Sequence, residues 1–210
     1  MACCDDAGRT VPRGALKIAI AGNPNCGKSA LFNLLTGVRQ KTGNWPGVTV
    51  ERREGRSRID GRNVTVVDLP GIYSFDADSL DERVTRDYLL SRDADLVVNV
   101  VDAANLERNL YFSVQLLEMG VPLVVALNMM DVARRRGIEL DAEELSRRIG
   151  CPVVPIVATD GEGLSELQAR MLDVADRRVV TVLSGSTVDS AAYIRILRET
   201  YVARTASAGA

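Results

Sequence analysis

Histidine is absent from the 210 residues. That gap excludes imidazole acid–base chemistry and imidazole metal ligation anywhere in the chain. Cysteine is scarce and scattered, at Cys3, Cys4, Cys26 and Cys151. No spacing among the four matches a zinc site or a disulfide framework, so they read as reduced thiols of a cytosolic protein. Cys3 and Cys4 fall in a small, polar N-terminal stretch that reads as a disordered tail rather than a metal site. Aromatic residues make up 4%, with a single tryptophan, Trp45. No apolar run reaches the ~20 residues that span a bilayer. The longest runs, near 96–101 and 121–127, are interrupted or ended by Asn99, Asp102 and Asn128. The N-terminus also lacks the apolar segment of a signal peptide. The chain as given is therefore expected to be soluble. A net charge of −2 demands no broad basic surface, so nucleic acid is not an expected partner.

What is present is ordinary for a globular domain: 46% hydrophobic and 26% charged residues. The length suffices for one sizeable core and a small appendage. Apolar runs of strand length occur at 16–21, 64–68, 96–102, 123–128 and 153–157, and helical patterns at 28–36, 80–91, 106–119, 142–149 and 164–177. Residues 48–58 add an edge strand that turns at Asp60-Gly61 into the strand at 63–68. Strands alternating with helices, several apolar on both faces, predict an α/β domain with a mostly parallel six-stranded sheet covered on both sides. The domain reading is a disordered tail at 1–13, a nucleotide-binding domain at 14–177 and a short helical appendage at 178–210.

Residues 22–29 read G-N-P-N-C-G-K-S, a complete G-x-x-x-x-G-K-[ST] between a predicted strand and a predicted helix. Gly22 and Gly27 let the backbone curl so that its N–H groups face an anion, and the helix starting near Lys28 adds its positive end. Lys28 is expected on the β- and γ-phosphates and Ser29 on magnesium. The nucleotide-binding set is Gly22, Asn23, Pro24, Asn25, Cys26, Gly27, Lys28, Ser29 and Ala30.

Two further motifs follow in order. D-L-P-G at 68–71 ends a strand about 40 residues after the P-loop. Asp68 is positioned to hold magnesium through water and the Gly71 N–H to meet a γ-phosphate. N-M-M-D at 128–131 follows the strand at 123–127. The Asp131 carboxylate can accept from both the ring N–H and the exocyclic amine of guanine, a donor pair adenine lacks. Asn128 braces the loop beside Met129. In isolation, Asn128 or Asp131 would read as a helix N-cap; the order of motifs favours the base reader. Ala158-Thr159, after the last strand, stands where a base-supporting loop is expected. The substrate is accordingly GTP, with GDP as product and Mg²⁺ as cofactor.

The segments G-N-W-P-G-V-T-V-E-R-R-E-G (43–55), V-V-D-L-P-G-I-Y-S (66–74), N-V-V-D-A-A-N-L-E-R-N-L-Y (99–111) and V-A-L-N-M-M-D (125–131) resemble the G domain of the FeoB ferrous-iron transporter family over about 16–177. The resemblance implies a Ras-like P-loop NTPase fold, slow GTP hydrolysis, and a role in ferrous-iron transport by a membrane-embedded permease domain. It implies a cytoplasmic location tethered to the inner membrane. It further implies that Thr49 caps magnesium when a γ-phosphate is present, and that Asn25, with the carbonyls of Gly43 and Trp45, ligates a potassium ion that offsets charge during phosphoryl transfer. Lys28, Asn25, Thr49 and Gly71 are then the catalytic set. Trp45, in a polar Gly-Asn-Trp-Pro-Gly loop, reads as exposed and mobile, and Arg39, Arg52 and Arg53 as solvated charges. Residues 38–50 and 71–80 are expected to move with the nucleotide state.

The sequence departs from that family's pattern in two places. Ala158 stands where a serine is usual, which weakens one support of the guanine loop. Only about 33 residues follow the last predicted domain helix, so the helical domain is truncated or reduced. Ile72, at the position where Ras-type enzymes carry a water-orienting Gln, cannot orient water. Other readings compatible with the motifs are a GTPase of a ribosome or tRNA-modification branch, and an NTPase with relaxed base choice. Self-association is left open.

Overall fold

The computed structural model describes residues 15–37, 40–76 and 79–177. The predicted tail at 1–13 and appendage at 178–210 lie outside the described residues. Element order is β1 (Leu16–Gly22), α1 (Lys28–Thr36), β2 (Gln40–Asn44), β3 (Glu51–Ile59), β4 (Arg62–Asp68), α2 (Leu80–Leu90), β5 (Leu96–Asp102), a 3-10 turn (Ala103–Asn105), α3 (Leu106–Glu118), β6 (Leu123–Asn128), α4 (Met130–Arg135), α5 (Ala142–Ile149), β7 (Val153–Pro155) and α6 (Leu164–Arg177).

One sheet runs β2-β3-β4-β1-β5-β6-β7, with β4, β1, β5, β6 and β7 parallel and β2–β3 and β3–β4 antiparallel. The Ras-like α/β architecture is the expected one, but the sheet has seven strands, not six. The added strand is β2, Gln-Lys-Thr-Gly-Asn, solvated along nearly its whole length. Its residues carry no apolar alternation, so only ladder bonding to β3 defines it. β3 is consequently an inner strand and not the edge. The turn was legible: Asp60 and Gly61 both take positive φ (46° and 76°), the backbone of a two-residue hairpin. The last strand is shorter than its apolar run, because Val157 leaves the sheet to pair with Glu162.

Along the central strands side chains alternate between two cores. Ala19, Val97, Val101, Val125 and Leu127 face α2, α3, α4 and α5, while Ile18, Ile20, Val98, Val124 and Ala126 face α1 and α6. Asn99, which interrupts the apolar run of β5, is buried and donates to the Ser113 hydroxyl at 2.6 Å, tying β5 to α3. The helix α2 starts on a capping box, with Ser79 accepting from the Glu82 N–H and Glu82 reaching back. Because the five parallel strands share one direction, the loops leaving β1, β4, β6 and β7 emerge along one edge of the sheet, where such folds bind ligands.

Candidate functional site

The P-loop leaves β1 at Gly22 and enters α1 at Lys28. Asn25 takes φ 63° without being a glycine, and Gly27 takes 92°. Left-handed residues in succession with turn residues aim backbone N–H groups inward, the geometry of an anion nest. A β-carbon at Gly27 would lie 2.1 Å from Asn128 Nδ2. Asn128 therefore packs onto the loop at Gly27. Its Nδ2 donates to the Cys26 carbonyl at 2.9 Å, and its Oδ1 accepts from the Ala158 N–H at 2.9 Å. One buried side chain thus joins three loops. The bond from Ala158 uses its backbone N–H, so this contact to Asn128 does not need a hydroxyl at 158. Gly27→Ala is expected to destabilise the fold by about 1–3 kcal/mol through strain at positive φ and displacement of Asn128, read as a fall in Tm together with weaker nucleotide binding. An unchanged Tm and affinity would show the three-loop junction to be dispensable.

Next to Asn128, Met129 takes φ 63° and starts α4. Asp131 lies in the first turn of α4, where one of its carboxylate oxygens accepts from Arg135 at 2.7 Å on the surface. That short helix was missed by sequence, being six residues long with no amphipathic period to read. Thr159 is exposed, next to Ala158.

The D-x-x-G segment closes over the P-loop. The Leu69 N–H donates to the Ile20 carbonyl at 2.9 Å and the Ile72 N–H to the Gly22 carbonyl at 3.3 Å. A β-carbon at Gly71 would sit 3.3 Å from the Pro24 backbone and 3.5 Å from Lys28 Nζ, so the segment packs closely on the P-loop. Ile72 is 3% exposed and turned into the core. Asp68 is buried, with Lys28 Nζ at 3.8 Å and Arg53 at 3.7 Å. Burial pushes its carboxyl proton affinity up, against the pull of both cations, and its Oδ1 has no hydrogen-bond partner among the described residues. A buried carboxylate with an unpartnered oxygen beside the phosphate nest fits a divalent cation. Cys26 and Cys151 are buried, and burial pushes their thiols up to about 11 and about 12, which keeps both protonated.

The segment between α1 and β3 departs most from the sequence reading. β2 and β3 form a hairpin whose tip is residues 45–50, held by Trp45 N–H to the Val50 carbonyl at 2.9 Å and Val48 N–H to the Trp45 carbonyl at 3.3 Å. Thr49 and Gly43 are exposed on it, Gly43 in register with Arg52. The structure thus leaves Thr49, Gly43 and the Trp45 carbonyl on the hairpin and gathers Asn23, Lys28, Asp68, Gly71 and Asn128 at the P-loop. Ser29 and Asn25 are exposed on the P-loop side. Trp45 is not an exposed residue: it is 6% exposed, edge-on to Tyr88 with ring centroids 5.2 Å apart and with Arg52 stacked on it at 4.7 Å. An indole in an otherwise polar loop gains more from covering α2 than from solvent. Arg52 and Arg53 are likewise not free charges. Arg52 also pairs with Glu54, and Arg53 lies over Phe32 at 5.0 Å while facing Asp68. The partnership of Arg53 with Asp68 had a readable signal: the two-residue turn at Asp60–Gly61 puts them opposite each other across β3 and β4.

Among the described residues no helix is long and apolar enough to cross a membrane, and no group of three or more Cys, Asp or Glu forms a metal cluster.

The Fe(2+) transporter FeoB of Salmonella typhimurium (strain LT2) is 55% identical over 157 residues, covering 73% of this chain and 20% of that protein. The chain thus spans about a fifth of the length of the curated relatives it matches. The crystal structure of the cytosolic domain of T. maritima FeoB in a GDP form superimposes with a TM-score of 0.79 at 42% identity, covering 83% of this chain and 69% of that one. Its GMPPNP form gives 0.78 at 42% identity, covering 83% and 70%. The family model for Ferrous iron transport protein B matches residues 16–171, and the chain belongs to that family.

Proposed function

We propose that this chain is the GTP-binding and GTP-hydrolysing domain of a ferrous-iron transport protein, cytoplasmic and joined to a membrane-embedded permease domain, and that its nucleotide state regulates or powers iron uptake. The observation that carries the reading is Asn128, which joins the phosphate loop, the base-reading loop and the Ala158 loop in one set of bonds. Such a junction has a use only if phosphate and base are held at once. The related domains captured with GDP and with GMPPNP support guanine nucleotide as the ligand.

The mechanism follows from what each residue can do. The P-loop N–H groups and Lys28 hold the phosphates. Asp131 accepts from the guanine edge, and the Ala158 N–H keeps Asn128 aimed, which supports guanine over relaxed base choice. Ser29, Asp68 and, when the hairpin opens, Thr49 would hold Mg²⁺. A bound Mg²⁺ neutralises phosphate charge in the transition state. The Gly71 N–H, pressed onto the P-loop, is placed to sense the γ-phosphate. Ile72 is buried, so no side chain at that position orients the attacking water, and turnover is slow. Asn25 at the exposed crest, with the Gly43 and Trp45 carbonyls, would hold K⁺. In the hairpin arrangement the Trp45 carbonyl accepts from the Val48 N–H, which leaves its second lone pair for a cation.

The experiment is GTP turnover by the chain in potassium and in sodium, with ATP as competitor. Turnover of GTP unaffected by excess ATP is expected, and equal use of ATP would overturn the guanine reading. Asp131→Asn is expected to lose about 2 kcal/mol of GTP affinity, about thirtyfold, with the loss of a charged hydrogen bond. The same variant should gain xanthine nucleotide, whose exocyclic oxygen accepts where the exocyclic amine of guanine donates. Titration with both nucleotides checks it; unchanged preference would place the base reader elsewhere.

A further inference from the structure

Ile72 is turned into the core, so the segment that follows Gly71 must be placed by something other than its own water-orienting side chain. The face of α3 opposite it carries Arg108, Tyr111, Phe112 and Gln115, spaced three, four and seven apart and therefore on one side of the helix. Each meets the segment 73–76. The Arg108 guanidinium lies 4.2 Å from the centre of the Tyr73 ring. Phe75 packs on Phe112 with centroids 5.2 Å apart, and its N–H donates to Gln115 Oε1 at 3.0 Å. Asp76 accepts from the Tyr111 hydroxyl at 2.8 Å and from Gln115 Nε2 at 3.2 Å. The same helix also touches the phosphate loop, since the Arg108 carbonyl accepts from Asn23 Nδ2 at 3.5 Å. Asn23 is 3% exposed and its Oδ1 has no partner, so that contact is its one side-chain bond among the described residues.

Arg108 is thus the residue at which α3, the P-loop and the segment after Gly71 meet. Its charge could have been a solvated one on a helix face. It instead covers the ring of Tyr73, which is 43% exposed. We propose that Arg108 is a positioning residue for GTP hydrolysis: stacked on Tyr73 and linked through its backbone to Asn23, it holds the 71–76 segment in register with the P-loop, where the buried Ile72 supplies no water-orienting side chain. The proposal rests on the hydrolysis reading above. Its chemistry is geometric. A cation on an aromatic face favours one ring orientation, and displacement of a reacting geometry by about 1 Å costs up to about a hundredfold in rate.

The test uses the chain with Arg108→Ala, Arg108→Lys, Tyr73→Ala, Tyr73→Phe and the double alanine variant. Arg108→Ala and Tyr73→Ala are each expected to lower kcat by roughly tenfold, with nucleotide Kd and Tm unchanged. The double variant should be no slower than the slower single one, because both remove one contact. Tyr73→Phe should rescue most of the loss, since the ring face remains, and Arg108→Lys part of it. Hydrogen exchange at the Ile72 and Phe75 amides of the GDP-bound chain should be faster in Arg108→Ala, a readout that does not depend on turnover. Unaltered kcat and exchange in Arg108→Ala, losses that multiply in the double variant, or a fall of Tm and affinity in step with kcat would each overturn the proposal. If the unsubstituted chain shows no GTP turnover but its exchange responds to Arg108→Ala, the hydrolysis reading is what fails, and the catalytic part of this proposal fails with it.

Discussion

Lys28→Ala is expected to reduce GTP affinity by roughly a thousandfold, about 4 kcal/mol, the range for removing one member of a buried charge pair. Lys28 is nearly enclosed, at 12% side-chain exposure, with its ammonium near Asp68 and beside Gly71. That places its charge where phosphate oxygens arrive along the P-loop axis. The substitution also withdraws one of the two cations that lower the proton affinity of Asp68, leaving Arg53 alone against the burial of that carboxylate. Phosphate binding and cation binding are therefore expected to fail together. Titration of a fluorescent GTP analogue, with and without Mg²⁺, reads both. A variant that is folded by circular dichroism and still titrates within a few-fold of the unsubstituted chain would remove Lys28 from the site.

The second large effect concerns the monovalent ion. Potassium is expected to raise GTP turnover well above sodium, and Asn25→Ala to abolish the difference, a change of about 10²–10³-fold for one electrostatic contact to the developing charge. The structure sharpens the reason by removing competitors. Arg53 faces Asp68, Arg52 is stacked on Trp45, and Arg108 is stacked on Tyr73. Arg39 lies outside the described residues. Arg52, Arg53 and Arg108 are thus each held by a partner other than a phosphate, and Ile72 is buried. Asn25 stands exposed on the crest of the loop at φ 63°, a backbone that asparagine tolerates better than most residues. Nucleotide affinity should be largely kept in Asn25→Ala, because the N–H nest and Lys28 remain. Equal turnover in the two salts by the unsubstituted chain would sink the ion site.

Much of this site could be read from the chain itself. Glycines at 22, 27 and 71, the lysine at 28, the carboxylates at 68 and 131 and the asparagine at 128 are held to fixed spacings by local chemistry: a nest, a strand end, a helix start. Local chemistry lies within a few residues of sequence, and the apolar runs of β1, β5 and β6 are long enough to show which strands are buried on both faces. The parallel α/β architecture followed from those runs.

Tertiary structure decided the rest, and for one recurrent reason. Where a residue's partner comes from another element, its own neighbours in sequence say little. Trp45 sits in a loop of small polar residues, and only the distant Tyr88 makes burial favourable. Gln40–Asn44 has no pattern of its own and becomes a strand because β3 offers a free edge. Ala158 reaches Asn128 through its backbone N–H, a group every residue but proline supplies, so no side chain in the sequence announces that contact. Arg108 looked like any charge on a helix until Tyr73 and Asn23 were brought to it. The sequence by itself determined the chemistry of the nucleotide-binding motifs and the order of the elements that carry them. Which charges are spent on packing and which stay free for the phosphates was decided only when the sheet brought its loops to one edge, because burial and long-range pairing are properties of the assembled chain.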